Sequence, residues 1–264
     1  MERDIISAGY DAVYRGVPKS PTLRRLWHEL AEGADFPEEF GHISFTTLPE
    51  LRRMAEELQL RRDETLVDFG CGMGGPALWV ARETGARLVG IDGALAATEG
   101  ASARADSVGM SERARFVVGS YAATGLDAAS ADGAMSEDAL QYTLSKQAAL
   151  SEVARVLRPG GRFVFTAYEL DVARAGRFPV LGTDPVEDYR PLLVDAGFRV
   201  DAYEDAPGWP EPMSSTYAAC IAAKDALTRE MGEAAVGALT MEMSMTLQFK
   251  PYRRRVLAIA TKPA

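Results

Sequence analysis

The chain has 264 residues, 47% of them apolar and 25% charged, and its 38 acidic against 29 basic side chains give a formal net charge of −9. This is globular usage, enough for one large α/β domain with its own core, and the acidic balance argues against a nucleic-acid partner. No apolar run reaches the roughly 18 residues of a membrane span, Met1-Glu2-Arg3-Asp4 is unlike a secretory leader, and two cysteines, Cys71 and Cys220, make neither a disulfide framework nor a metal site. A single domain over residues 1–264, in the cytoplasm and without bound metal, is the expectation.

Residues 1–35 read as helical, with Leu23, Leu26, Trp27 and Leu30 at helical spacing until Gly33 and Pro37 interrupt them. Thr47-x-x-Glu50 forms a capping box before Leu51, Met54, Ala55 and Leu58, which share one helix face. From Thr65 the rhythm changes. Leu66 to Phe69 is a short strand, Gly70-Cys71-Gly72-Met73-Gly74-Gly75 a glycine loop, and Pro76 the first turn of a helix that Gly85 ends. Further strands are expected at 87–91, 115–118, 131–136, 162–168, 198–204 and 256–260, and helices at 94–107, 146–157 and 186–196. Pro159-Gly160-Gly161 is read as the stop of the 146–157 helix. Alternating strands and helices mean parallel βαβ units in a sheet buried on both faces. Residues 171–185 form a polar connection, and 206–249 an Ala- and Met-rich helical insertion. The chain thus divides into a helical lid (1–60), a cofactor-binding core (61–170) and a segment that completes the sheet (171–264), with the helical parts covering the carboxyl edge where open α/β sheets bind ligands.

The strand–glycine loop–helix junction carries the chemistry. Glycine allows backbone to approach a ligand closely, and the helix start offers free N–H groups. Asp92 lies 20 residues beyond Gly72, at the end of the next strand, where a carboxylate can accept both hydroxyls of a ribose. Gly70-x-Gly72-x-x-Gly75 also matches the dinucleotide fingerprint, so the loop alone leaves the cofactor open. Asp68 tilts the choice, since a carboxylate two residues before Gly70 suits a cationic amino group and repels a pyrophosphate.

Val67-Asp68-Phe69-Gly70-Cys71-Gly72-Met73-Gly74, Gly90-Ile91-Asp92, Ala131-Asp132-Gly133-Ala134-Met135-Ser136-Glu137 and Leu157-Arg158-Pro159-Gly160-Gly161 follow one another in order across about residues 60–168. In this ordered set the sequence resembles the class I, Rossmann-like S-adenosylmethionine-dependent methyltransferases, within them the small-molecule branch. The resemblance implies a doubly wound sheet of seven mostly parallel strands with the last antiparallel. It implies that Asp68 and the backbone of Gly70, Gly72 and Gly74 hold the methionine part, that Asp92 binds the ribose with Gly93 beside it, and that Ser120 and Tyr121 meet the adenine. Ser136 and Glu137 would then end the fourth strand close to the donor.

On the acceptor side the residues leave alternatives open. A protic acceptor needs its proton removed, and histidine is the usual base near neutral pH. His28 lies in a helical stripe and reads as structural, whereas His42, in a non-helical segment before the capped helix, is a candidate base or substrate contact. Gln141 and Tyr142 stand where some relatives carry a catalytic histidine; Gln141 can orient an acceptor but not take its proton. Glu137 is the second candidate base. Tyr14 (with Tyr10 on one helix face), Tyr168 and Trp209 are candidate acceptor contacts, each with ordinary packing as the rival reading. The reading as a whole is methyl transfer from S-adenosylmethionine to a small cyclic or aromatic acceptor in natural-product biosynthesis, with oxygen favoured, by a monomer or homodimer that binds neither nucleic acid nor membrane. Carbon or nitrogen methylation, or a protein that keeps the cofactor without transferring methyl, are the alternatives; a nicotinamide oxidoreductase is disfavoured by Asp68.

Overall fold

The computed structural model describes residues 5–176 and 184–264. Helices α1 (Ile5–Gly16) and α2 (Pro21–Trp27) are joined by a 3-10 turn, and a π-helical turn, His28–Glu32, extends α2. Ser20 caps α2, its hydroxyl accepting the Leu23 N–H at 3.0 Å. The capping box expected at Thr47 is formed: Glu50 N–H reaches the Thr47 hydroxyl while Thr47 N–H reaches the Glu50 carboxylate, and α3 (Leu48–Leu58) follows.

Strands β1 (Thr65–Phe69), β2 (Arg87–Asp92), β3 (Ala114–Val118), β4 (Ala131–Glu137), β5 (Leu157–Leu170), β6 (Arg199–Asp205) and β7 (Arg253–Thr261) form one seven-stranded sheet in the order β3-β2-β1-β4-β5-β7-β6. Strands β1 to β5 pair in parallel, and β7 runs antiparallel to both β5 and β6. The strand order reverses between β1 and β4, which opens a crevice at their carboxyl ends. Helices α4 (Gly75–Thr84), α5 (Leu95–Ser107), α6 (Lys146–Val156), the one-turn α7 (Val172–Ala175) and α8 (Tyr189–Asp195) belong to the crossovers. Helices α9 (Pro210–Ala222), α10 (Lys224–Met231) and α11 (Glu233–Phe249) fill the insertion before β7.

Three apolar clusters hold these layers. Val67, Phe69, Phe163 and Phe165 pack toward α6 and α8 on one sheet face, and Leu66, Leu88, Met135 and Val164 toward α3 and α4 on the other. In the third, Leu23 and Trp27 of α2 join Phe45 to Met213, Cys220, Leu239 and Met243 of α9 and α11. The N- and C-terminal helices, distant in sequence, therefore make one cover over the crevice.

Two expectations are corrected. The motif Leu157-Arg158-Pro159-Gly160-Gly161 is not a break after a helix but the start of β5: α6 ends at Val156, Leu157 is already extended, and it pairs with Ala131 before a register shift. The helix expected over 186–196 is shorter, Tyr189–Asp195, beginning where Asp188 caps it. Residues 177–183 of the polar connection, and Met1 to Asp4, lie outside the described residues.

Gly70 follows β1 with φ +76°, and a Cβ there would stand 2.5 Å from the Ala139 Cβ and 2.8 Å from the Tyr121 hydroxyl. Gly70→Ala therefore combines left-handed strain of about 1–2 kcal/mol with a clash, and should lower the melting temperature by roughly 4–8 °C or more in a thermal melt.

Candidate functional site

A cavity of about 390 Å³ occupies the crevice, floored by the ends of β1, β2 and β4 and roofed by α1, α9 and α11. On its floor Gly70, Gly72 and Gly74 all have φ between +49° and +76°, a run that side chains disfavour. Gly70 and Cys71 N–H groups donate to Ile91 O at 2.8 and 2.9 Å, folding the loop back onto β2. The Asp92 carboxylate completes the turn: Oδ2 accepts the Gly72 N–H and Oδ1 the Ala94 N–H, both at 2.9 Å. Burial pushes its pKa up against those two bonds.

Asp68, the penultimate residue of β1, has its side chain buried and its Oδ1 without a partner. Burial, reinforced by the Asp92 charge, pushes this carboxyl up to about 8. A buried carboxyl on a cavity wall with no counter-charge fits a ligand that brings its own cation. The loop, Asp68 and Asp92 thus suit a molecule with a ribose-type diol and an ammonium group.

The other expected cofactor contacts are placed unevenly. Gly93 and Ser120 line the cavity. Tyr121 also lines it, tethered through its hydroxyl to Phe69 O and to the Ser136 hydroxyl. Ser136 is fully buried and absent from the wall; it stands behind Tyr121 and supports it, a correction to its expected donor contact. Tyr14 is also corrected. It projects from α1 onto the glycine loop, its hydroxyl 2.8 Å from where a Cβ on Gly72 would be, and so covers the donor half, not the acceptor half.

The acceptor half is apolar and aromatic, with Trp27, Phe45, Tyr142, Tyr168, Met213, Tyr217, Leu239 and Met243 on its walls. Gln141 donates through its amide to Asp138 O and leaves its Oε1 without a partner. The Tyr168 hydroxyl is likewise buried and unpartnered. Trp209 does not reach the cavity: it is 7% exposed and packs edge-on against Tyr168, ring centroids 5.1 Å apart. The tryptophan begins α9 on the far side of Tyr168, so it braces that ring and forms no wall.

Glu137, at the end of β4, lines the cavity with neither carboxyl oxygen hydrogen-bonded. Burial, then the neighbouring Asp68 charge, raises its pKa well above the usual carboxylate range. His42 lines the same cavity, edge-on to Phe36. Its Nδ1 accepts the Ser44 backbone N–H at 3.1 Å, so the neutral ring carries its proton on Nε2, which is buried and has no protein partner. Burial depresses its pKa to about 4. The ring therefore presents an N–H donor near neutral pH, and the expected role as a base meets an occupied lone pair.

Three contributors escaped the sequence reading. Glu242, from α11, accepts the Tyr10 hydroxyl at 2.9 Å and the Tyr142 hydroxyl at 2.5 Å, linking α1, α11 and the loop after β4 across the roof. Arg255 is 1% exposed and donates to Asp138 at 2.8 Å, Glu50 at 2.6 Å and Thr46 at 3.0 Å. Arg104 of α5 also lines the cavity. No local signal distinguished any of them, because their partners lie far away in sequence.

The chain matches the family described as methyltransferase domain over residues 67–165. It is 27% identical over 218 residues to the 27-O-demethylrifamycin SV methyltransferase of Amycolatopsis mediterranei (strain S699), covering 78% of each protein. It spans about a third of the length of the sterol C-methyltransferases it also matches. Among solved structures it is similar to the 4+2 cyclase SpnF, with a TM-score of 0.78 and 22% identity across 98% of this chain and 95% of that one. The geranyl diphosphate C-methyltransferase of Streptomyces coelicolor A3(2), solved with Mg2+, geranyl-S-thiolodiphosphate and S-adenosyl-L-homocysteine, aligns with a TM-score of 0.66 and 16% identity, over 99% of this chain and 100% of that one. At these identities the two structures establish the fold.

The Asp68 carboxyl must be ionised to pair with an ammonium, and the free protein keeps it protonated until pH rises through about 8. Calorimetric titration with S-adenosylhomocysteine should therefore show binding about tenfold tighter near pH 8.5 than near pH 6.5, with proton release at the lower pH. Asp68→Asn should flatten that dependence.

Proposed function

We propose that the chain, which matches a methyltransferase domain over residues 67–165 and resembles the class I S-adenosylmethionine-dependent methyltransferases, uses that cofactor to methylate a hydroxyl of a small cyclic or aromatic natural product. The observation that carries this reading is Glu137: an unpartnered carboxyl on the wall of a cavity whose floor suits the donor and whose other half is aromatic. The O-methyltransferase relative that matches over most of its length favours oxygen.

The bound donor supplies an activated methyl group on a cationic sulfonium. Asp68 and the loop Gly70–Gly74 hold its methionine part, Asp92 accepts the ribose hydroxyls, and Gly93, Ser120 and Tyr121 flank the adenine. Tyr14 closes the loop from above, and the roof excludes water. Tyr142, Tyr168 and Gln141 bound the acceptor. Glu137 holds a proton in the free protein; a cation beside it favours the carboxylate. That carboxylate takes the proton from the acceptor hydroxyl as the oxygen takes the methyl, and positioning supplies the remainder. His42 offers an Nε2–H to a bound ligand and stays neutral throughout.

A second reading rests on the same proton accounting. Burial weakens His42 as a base and favours the protonated form of Glu137, which suits methylation of an electron-rich ring carbon, where no base acts before transfer. Incubation with methyl-labelled S-adenosylmethionine and a panel of phenols and hydroxylated macrocycles separates the readings. Labelled methyl carbon in the O-methyl region of the NMR spectrum, with S-adenosylhomocysteine formed in equal amount, is expected. Label on carbon would transfer the assignment to the second reading. An altered acceptor without donor consumption would leave the cofactor a structural role.

Glu137→Gln should lower kcat by about 100-fold, while S-adenosylhomocysteine affinity changes little. His42→Gln, which keeps an N–H donor, should retain most activity where His42→Ala loses about tenfold, and kcat/KM should show no histidine inflection between about pH 5 and 8.

A further inference from the structure

Three consecutive arginines, Arg253, Arg254 and Arg255, open β7. Because β7 is antiparallel, its first residues lie at the carboxyl edge of the parallel strands, beside the crevice. Two of the three are satisfied by acids: Arg254 by Glu169 at 3.2 Å and by Asp205, Arg255 by Asp138 and Glu50. The Arg253 side chain makes neither a hydrogen bond nor an ion pair among the described residues. Of the three, it is the one that lines the cavity.

Its neighbours there belong to the acceptor half. The guanidinium carbon stands 5.6 Å from the centre of the Tyr168 ring, a cation–π contact. Its charge acts on Tyr168, Tyr217 and Glu242, all of which line the same walls. Glu242 is the acid among them, and its oxygens are already engaged, both by the Tyr10 hydroxyl and one by Tyr142. The other guanidinium groups on the cavity wall are committed, Arg24 to Glu32 and Arg104 to Gly41 O at 2.5 Å. Arg253 therefore presents a planar fork of N–H donors on a wall of aromatic rings, and the protein uses none of them. Such a fork matches the two oxygens of a carboxylate, and a single polar group on an apolar wall is what fixes a ligand's orientation.

The register of the sheet adds the position. Glu137 pairs with Thr166 of β5, and Arg253 with Leu170, further along β5 toward the rim. The candidate base and the unmatched cation thus stand at different depths of one cavity. Resting on the reading of an aromatic acceptor above, we propose that Arg253 binds a carboxylate carried by that acceptor, and so selects ring compounds with an acid group set apart from the hydroxyl to be methylated. Arg253 is a binding residue: it decides which way round the acceptor enters and takes no part in proton transfer.

The test compares hydroxynaphthoic acids with the corresponding hydroxynaphthamides, which keep the rings, the hydroxyl and nearly the same shape but lose the charge. Calorimetry on wild-type protein saturated with S-adenosylhomocysteine should show the acids binding about 10- to 100-fold more tightly than the amides. In Arg253→Met that ratio should fall to about 2 or less, through loss of affinity for the acids alone, and Arg253→Lys should restore part of it. Equal binding of acids and amides by the wild type would overturn the proposal, as would an unchanged ratio in Arg253→Met, equal weakening of both sets, or binding of neither set by protein that holds S-adenosylhomocysteine. Failure to bind S-adenosylhomocysteine would instead remove the cofactor reading, and the inference with it. A preference for acids that Arg253→Met abolishes, without methylated product from S-adenosylmethionine, would uphold the role of Arg253 and remove O-methylation of these rings.

Discussion

The buried Arg255 is the interaction on which the site's geometry depends. Its guanidinium reaches three side chains at once: Glu50 and Thr46 at the start of α3, and Asp138 just past the end of β4. Asp138 has φ +49°, a conformation that costs a non-glycine residue energy and persists only where its surroundings impose it. Its carboxylate also accepts the Phe45 N–H, so the segment that carries His42 is fixed to the residue after Glu137. Both candidate proton-handling groups are thereby set by one cation on β7, the last strand. Without that cation two carboxylates would be left in a poorly solvated space, a larger loss than the ion pair's own worth. The antiparallel β7 is what allows this, since it brings Arg255 back between β5 and β6, one strand removed from β4.

Around that frame the cavity is electrostatically unfinished. Asp68, Asp92 and Glu137 all line it, and burial raises the pKa of each, reinforced at Asp68 by the Asp92 charge and at Glu137 by the charges of Asp68 and Asp138. Arg24 and Arg104 also line the cavity and oppose each other, with Glu32 attracting both. No described cation pairs with Asp68 or Glu137, which leaves the free protein a deficit of positive charge there that a cationic ligand satisfies. Binding and ionisation are then linked: a cation that lowers the Asp68 pKa also favours the ionised form of Glu137.

The individual strands, the glycine loop and Asp92 were legible because they rest on local signals: short apolar runs, glycines at a strand end, an acid at the end of the next strand; the seven-stranded sheet with its antiparallel last strand followed from the family resemblance. The Pro159-Gly160-Gly161 motif misled for a physical reason. Proline and glycine punctuate chains in isolation, yet here the segment is held by pairing of Leu157 with Ala131 and by the Gly160 N–H on Lys262 O, just past the end of β7 and distant in sequence. The aromatic residues were identifiable as a group but not by side. Tyr14 turned to the donor half, and Trp209 moved behind Tyr168, because the roof is assembled from α1, α9 and α11 and nothing in their own periodicity says which stripe meets the ligand. Glu242 and Tyr10 are 232 positions apart, and Arg104 and Gly41 63 apart; pairings of that kind are written in the tertiary fold alone.

His42 shows how a backbone contact can redefine a residue that composition singles out. As one of two histidines in the chain it is the natural candidate for a base. A base needs a free lone pair and a stable protonated form, and this ring has neither: Ser44 N–H occupies Nδ1, and burial disfavours the imidazolium even though Glu32 attracts it. Protonation at Nδ1 would break a backbone hydrogen bond and place a cation near Arg24 and Arg104. The same facts make the ring a good donor, since a neutral imidazole with a fixed tautomer keeps its N–H at all pH values where the fold is intact. In the proposed O-methylation, proton removal then falls to Glu137, whose burial favours the neutral carboxyl and whose ionised form a cationic ligand would favour.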